Sequence, residues 1–250
     1  MEKLGNYELD NIYCGDCYEA IKKIPDKSID LIVTDPPYQI ESLKGGEMLK
    51  EKKLVGLMDS LGDKNLDVGL DKKILEELIR IMKKVNIYIW CNKKMIPMLF
   101  DYFVKEKGLL FDILVWNKTN ALPLCGSKYL TDSEYCLYFH ETMKLNTTYQ
   151  TAKTVYFLPI NLEDKKKYSH PTIKPLEIIK NLIINSSNEN DIVFDPFMGS
   201  GTTAVCAKKL NRHFIGFELN PKFHKIACDR LKGITQQDRR IEESGQMKLF

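Results

Sequence analysis

Along most of this 250-residue chain, short apolar runs alternate with stretches whose apolar positions recur every three to four residues. The first pattern predicts strands and the second amphipathic helices. Strands are expected at Glu8 to Tyr13, Ile29 to Val33, Val85 to Trp90, Leu109 to Trp116, Glu134 to Phe139, the run into Asp195, and Phe214 to Glu218. Helices are expected at Cys17 to Ile24, Asp71 to Lys84, Met95 to Lys107, Pro175 to Ile184, Thr202 to Leu210 and Pro221 to Leu231. Val85 to Trp90 reads as continuously apolar, as a strand covered on both faces requires. The alternation implies an α/β protein built on a mostly parallel sheet. Three stretches break it. Residues 39–71 are charge-rich, hold Gly45-Gly46, and read as a mobile loop over the site. Residues 117–167 carry Pro123, Gly126, Asn146, Thr147 and Thr148 and read as a loop-rich insert around the Glu134 strand, while 232–250 read as a flexible polar tail. Residues 1–116, carrying that loop, and 168–231 are expected to form one domain.

Two of the strands end in an aspartate followed by proline: Thr34-Asp35-Pro36-Pro37-Tyr38, and Phe194-Asp195-Pro196-Phe197-Met198-Gly199. Proline cannot donate to a sheet ladder, so both turns fit the carboxyl ends of parallel strands. Ligands of open α/β sheets bind at that edge, where strand order reverses. Asp35 and Asp195 are therefore expected to face one crevice that takes two ligands. Gly199-Ser200-Gly201-Thr202-Thr203-Ala204 fits the glycine-rich turn between strand and helix, whose backbone admits a ligand closely. Glu218 follows Gly201 by seventeen residues at the next strand end, the place of a ribose-binding carboxylate. An adenosine-containing cofactor follows, with NAD and S-adenosylmethionine both open.

Asp35-Pro36-Pro37-Tyr38 separates them. The exocyclic amine of a base is a poor nucleophile because its lone pair is delocalised into the ring. A carboxylate and a carbonyl accepting its two hydrogens would localise that pair and aim it at an electrophile. Asp35 and the Pro36 carbonyl supply the acceptors, and Tyr38 supplies a face on which an extruded base can stack. Hydride transfer needs none of these.

Bulk properties add little to this. Net charge is only +3, so the positive excess is local, and no apolar run reaches the length of a membrane span, which with the polar N-terminus suggests a cytoplasmic protein. Seven cysteines, an odd number, suit reduced thiols, and Cys14-Gly15-Asp16-Cys17 lacks the second pair a zinc site would need, so no metal is assigned.

At this point the sequence resembles the amino-methylating DNA methyltransferases that use S-adenosylmethionine, in the permuted order called the beta class. Asp35 to Tyr38 matches the catalytic motif and Asp195 to Gly201 the cofactor motif. His170-Pro171-Thr172-Ile173-Lys174-Pro175 and Cys14 to Cys17 match the segments that precede them. Trp116-Asn117-Lys118 and Glu134 to Phe139 resemble the weaker blocks between. The resemblance implies a Rossmann-like methyltransferase fold, doubly wound and circularly permuted, with the insert recognising the target. It implies that Asp35, Pro36, Pro37 and Tyr38 are catalytic, and that Asp195, Phe197, Gly199 and Gly201 line the methionine side of the cofactor, within the turn that also holds Ser200 and Thr202. Glu218 would take the ribose, Asp16 with Cys17 the adenine edge, and Thr172 with Lys174 the methionine end, His170 lying beside them. Family members acting on the 6-amino group of adenine usually begin the catalytic motif with Asp or Asn, and those acting on the 4-amino group of cytosine with Ser, so Asp35 favours adenine. Double-stranded DNA is the implied partner. Lys128 and Lys165-Lys166-Lys167 are placed to meet phosphate, and a homodimer sharing the DNA would offset a short insert. Finally, Gln246, Leu249 and Phe250 resemble the peptide with which bacterial replication proteins dock on the sliding clamp.

Overall fold

Pairing among the apolar runs produces one eight-stranded sheet. The computed structural model describes residues 2–37, 70–121, 129–170 and 172–243. Tyr38, nearly all of the 39–71 loop, Lys128 and the residues Gln246, Leu249 and Phe250 lie outside the described residues.

The chain opens with β1 (Lys3–Leu4) and β2 (Tyr7–Glu8), a small antiparallel pair, before β3 (Asn11–Cys14) joins the large sheet. The single strand expected from Glu8 to Tyr13 is thus broken. The cause is Asp10, held at φ 63°, whose carboxylate accepts from the Phe214 amide at 3.2 Å. Next come α1 (Cys17–Ala20), continued by a 3-10 turn at Ile21–Lys23, then β4 (Leu31–Thr34), α2 (Lys72–Ile81) and β5 (Asn86–Cys91). Helix α3 (Met95–Phe100) runs on as π-helical turns through Asp101–Glu106, which bring Phe103 to stack on Phe139 at 4.4 Å. Strands β6 (Leu110–Lys118), β7 (Ser133–His140) and β8 (Val155–Leu158) precede α4 (Leu162–Tyr168) and α5 (Leu176–Ser186). The chain closes with β9 (Ile192–Asp195), α6 (Thr202–Lys209), β10 (His213–Glu218), α7 (Pro221–Leu231) and α8 (Gln236–Glu243).

Strand order is β3-β10-β9-β4-β5-β7-β6-β8. The first five are parallel, β7 runs antiparallel to both neighbours, and β8 pairs parallel with β6. Order reverses between β9 and β4, which are direct parallel partners through Leu31↔Val193 and Ile32↔Phe194. The two Asp-Pro ends therefore lie side by side, as expected. The first βαβ unit is looser than the sequence suggests, since β10 and β9 stand between β3 and β4.

The core has two layers because alternate residues of a strand point to opposite faces. Ile32, Ile87 and Ile89 pack with Ile74, Leu78 and Phe103 on one face, while Leu31, Val33, Tyr88 and Trp90 pack with Ile178, Leu182 and Ala204 on the other. All are buried.

Two expectations need correction. The stretch 117–167 contributes more regular structure than a loop-rich insert: β7 fills the sheet between β5 and β6, and β8 and α4 are elements that the apolar pattern does not predict. Strand β8 is only four residues long, and α4 is mostly charged, its ends set instead by the Asn161 cap and by Ser169 at φ 61°. The polar tail is likewise helical through Glu243. Thr235 and Asp238 cap each other's amides at 2.9 and 3.2 Å, a signature readable in sequence, and Arg239 donates to the Tyr168 carbonyl at 3.0 Å.

Candidate active site

Two adjoining strand ends build the site. At the end of β9, Asp195 is fully buried and its Oδ1 accepts from the Thr34 hydroxyl at 2.9 Å and from the Phe197 amide at 3.1 Å. Thr34 closes β4, so the carboxylate ties the two strand ends together. Burial raises the Asp195 pKa to about 7, against these hydrogen bonds, which favour the charged form.

The glycine-rich turn is fixed from three sides. Glu218, at the end of β10, accepts from the Gly199 amide at 2.7 Å and from the Asn220 amide at 2.8 Å. Gly199 has φ 52° and Gly201 φ 77°, a backbone region that favours glycine. A Cβ on Gly201 would stand 3.0 Å from the Ala227 Cβ, so α7 packs directly against the turn. From α7, Arg230 donates to Thr202 Oγ1 at 2.7 Å, to the Ser200 carbonyl at 3.2 Å, and to Asp164 on α4 at 3.2 Å. Gly216 of β10 leaves the space that Met198 fills; a Cβ there would fall 2.0 Å from Met198 Cε.

Asp16 caps α1 by accepting from the Tyr18 amide at 2.9 Å, and Cys17 is buried behind it, where burial pushes its thiol well up. Glu218 lies opposite Cys14 in the ladder, and its carbonyl accepts from Gly15 at 3.0 Å. The 14–17 segment and Glu218 therefore share one edge, next to the turn.

The other half gathers charge. Asp35, just past β4, receives Lys174 Nζ on Oδ2 at 2.5 Å. Lys174 also lies 3.0 Å from Glu134 Oε2, and Lys118 lies 2.8 Å from Glu134 Oε1. Burial opposes the charge on Lys174, yet Asp35 and Glu134 outweigh it and hold the ammonium above its usual range. Burial would likewise raise the Glu134 carboxyl, but Lys174 and Lys118 bring it down to about 2. The Lys174 ammonium sits 5.1 Å over the Trp90 ring.

A cleft opens between the two halves, lined by Asp35, His170, Thr172, Lys174, Asp195, Phe197, Gly199, Ser200 and Thr202. Nine expected residues thus meet in one place, with Glu218, Asp16 and Cys17 behind the turn. His170 is buried and its pKa is depressed to about 4, chiefly by that burial. Its Nδ1 accepts from the Thr172 amide at 3.3 Å, so Nε2 carries the proton. That Nε2 has no hydrogen-bond partner among the described residues and lies 3.8 Å from where a Gly199 Cβ would be. An orphaned donor, an open glycine and a strand-end carboxylate fit a polar cofactor with a ribose and a carboxylate.

Sequence reasoning misses the roles of Glu134, Arg230, Thr34 and Gly216. Arg230 leaves a signal: it falls on the apolar face of α7 with Ile226 and Ala227, where an arginine must have internal partners. Thr34 and Gly216 give none, because their roles depend on strand neighbours far away in sequence.

Comparison with known proteins agrees with this geometry. Residues 29–229 match the N6/N4 methylase family, described as DNA methylase. The chain is 31% identical over 266 residues to the Type II methyltransferase M.HinfI of Haemophilus influenzae, covering 97% of this chain and 74% of that one. It is 30% identical over 252 residues to M2.LlaDCHI of Lactococcus lactis subsp. cremoris, covering 92% and 93%. Among solved structures, the M1.HpyAVI complex with S-adenosylmethionine superposes with a TM-score of 0.65 at 27% identity, over 88% of this chain and 99% of that one. The cytosine-N4-specific PvuII methyltransferase shares the fold with a TM-score of 0.68 at 17% identity, over 93% and 90%. A Rossmann-like sheet, a cofactor turn and an Asp-Pro-Pro strand end facing one cleft thus converge with the family match over most of the chain, which belongs to the N6/N4 DNA methylases and is an S-adenosylmethionine-dependent DNA methyltransferase.

Proposed function

We propose that this enzyme methylates the 6-amino group of an adenine flipped out of double-stranded DNA, as the modification arm of a restriction-modification system. The observation that carries the reading is Asp35, a carboxylate at the end of β4 beside the cofactor strand end of β9. Asp35 and the Pro36 carbonyl accept the two amine hydrogens, so the nitrogen lone pair turns out of the ring and toward the cofactor side. Tyr38 stacks on the base, an assignment that rests on the motif alone. The cofactor supplies a methyl group made electrophilic by its sulfonium. Glu218 binds its ribose, Asp16 and Cys17 the adenine edge, and Asp195, Phe197, Gly199 and Gly201 the methionine side with Ser200 and Thr202 in the same turn. Thr172 and the protonated Nε2 of His170 hold the methionine end, with Lys174 beside them on the same segment but paired with Asp35 and Glu134.

DNA is met by residues 117–167, where Lys165, Lys166 and Lys167 of α4 contact phosphate. A homodimer on the duplex and clamp docking through Gln246, Leu249 and Phe250 belong to the same reading. The named Type II relatives support the restriction-modification setting. No helix of the described residues is long and apolar enough to cross a membrane.

The test is incubation with methyl-labelled S-adenosylmethionine and unmethylated genomic DNA, followed by digestion to nucleosides. Label on 6-methyladenine is expected. Label on 4-methylcytosine would keep the mechanism and replace the base, and absence of label from DNA would overturn the reading.

A further inference from the structure

Lys118, Glu134, Lys174 and Asp35 form a row of alternating charge that runs from β6 across β7 to the end of β4. Methyl transfer as proposed needs an Asp35 oxygen as acceptor for one amine N–H, and Lys174 Nζ already donates to Oδ2 at 2.5 Å. An ammonium held on that oxygen both fills a lone pair and withdraws charge from it. Asp35 is therefore a stronger acceptor for the amine when the ammonium leans away from it.

Glu134 provides the place to lean. Its Oε2 stands 3.0 Å from the same Nζ, so the ammonium lies between two carboxylates and can lean toward either. The side chains of Lys174 and Glu134 are only 10% and 22% exposed, so water does not screen the choice strongly. The Trp90 ring, 5.1 Å from Nζ, offers the charge an aromatic face between the two carboxylates' contacts. Glu134 itself is anchored by Lys118 at 2.8 Å and by its ladder position opposite Trp116, over which Lys118 sits at 5.5 Å. Lys165 of α4 adds a further positive charge near Glu134. The row is fixed at its Glu134 end and open to the cleft at its Asp35 end.

We propose that Glu134 is a positioning residue for methyl transfer: it draws the Lys174 ammonium off Asp35 as the target amine arrives, leaving the carboxylate able to accept the amine's N–H. The inference rests on the DNA-amine reading above. Without the Glu134 charge, the pull that opposes Asp35 across the ammonium is lost, and the amine meets a more tightly held pair.

The experiment measures single-turnover methyl transfer from complexes saturated with S-adenosylmethionine and duplex DNA, for the parent and for Glu134→Gln, Glu134→Asp, Lys174→Met and the double variant Glu134→Gln/Lys174→Met. Glu134→Gln should slow transfer by at least about tenfold while cofactor and DNA dissociation constants stay within about threefold. Glu134→Asp, which keeps the charge, should stay within about fivefold of the parent. With Lys174 absent, the further Glu134→Gln change should cost less than about twofold, since there is no ammonium left to draw away. A Glu134→Gln rate within twofold of the parent would overturn the proposal, as would equal slowing by Gln and Asp or an undiminished cost in the Lys174→Met background. Should Lys174→Met leave no measurable transfer, the Gln and Asp comparison decides alone. A parent that labels no DNA would instead overturn the underlying functional reading, and the inference with it.

Discussion

The ends of β9 and β4 are neighbours in the sheet, yet they hold their aspartates in opposite ways. Around Asp195 the groups are buried and bound to one another by short hydrogen bonds through backbone amides, with glycines admitting a close approach. Around Asp35 the contacts are between side-chain charges, and the carboxylate remains 28% exposed to the cleft. Backbone donors in turns tied to two strand ends cannot move without disturbing those ends, whereas an ammonium between two carboxylates can. The contrast points to a division of labour, with a preformed seat for the cofactor and a displaceable charge where the reacting base must enter. Preorganised dipoles suit a ligand bound before chemistry, and a movable counter-ion suits a group whose arrival has to be accommodated.

The difference can be attacked from the cofactor side first. Arg230 should be the costliest single loss, because its side chain is 2% exposed and its removal strands the turn and Asp164 together. Arg230→Met is expected to lower unfolding free energy by about 3–5 kcal/mol, read from urea midpoints, with no specific defect at Asp35. Glu218→Ala should come next, lowering S-adenosylmethionine affinity by roughly 30-fold or more in calorimetric titration, since two amide partners and the ribose site go with it. Gly201→Ala, at φ 77° and against Ala227, should cost about 1–3 kcal/mol of stability. Gly199→Ala meets its nearest neighbour only at 3.8 Å and should cost less, so equal losses would mean that the turn is not packed on α7 as described.

The smallest net effect is the parent's pH dependence, because two buried groups pull in opposite directions and largely cancel. Asp195 titrates near 7 in the folded protein but in the usual carboxylate range when unfolded, so between those values the folded state keeps a proton the unfolded state has lost, and stability falls as pH rises. His170 titrates near 4 when folded against 6.5 when unfolded, so over that window stability rises with pH. Asp195→Asn should therefore leave a climb of stability between pH 4 and 6.5, and His170→Gln should leave a fall. Urea midpoints at half-unit pH steps would check both slopes, and slopes of the same sign in the two variants would contradict the burial argument.

Much of this arrangement is legible in the amino-acid sequence, because strand ends are written locally. An apolar run closed by Asp-Pro marks both a strand and the side on which it ends, and two such ends predict adjacent carboxylates that the β4–β9 pairing delivers. The glycine turn and Glu218 are equally local. What cannot be read is set by partners distant in the chain. Thr34 looks ordinary until β9 brings Asp195 to it, and Glu134 reads only as the start of a strand until β7 runs beside β6 and faces the segment carrying Lys174. Helix α4 is hidden for a different reason: caps rather than apolar periodicity define it. The broken first strand shows the same limit, since Asp10 is turned by a bond to Phe214 at the other end of the sequence.

The most direct measurement pairs cofactor titration with single-turnover methyl transfer in Asp35→Ala. If the two strand ends divide the work as described, the S-adenosylmethionine dissociation constant will stay within about threefold of the parent while transfer falls by at least about 100-fold. A cofactor affinity that collapses together with the rate, or a transfer rate that survives the substitution, would contradict that division.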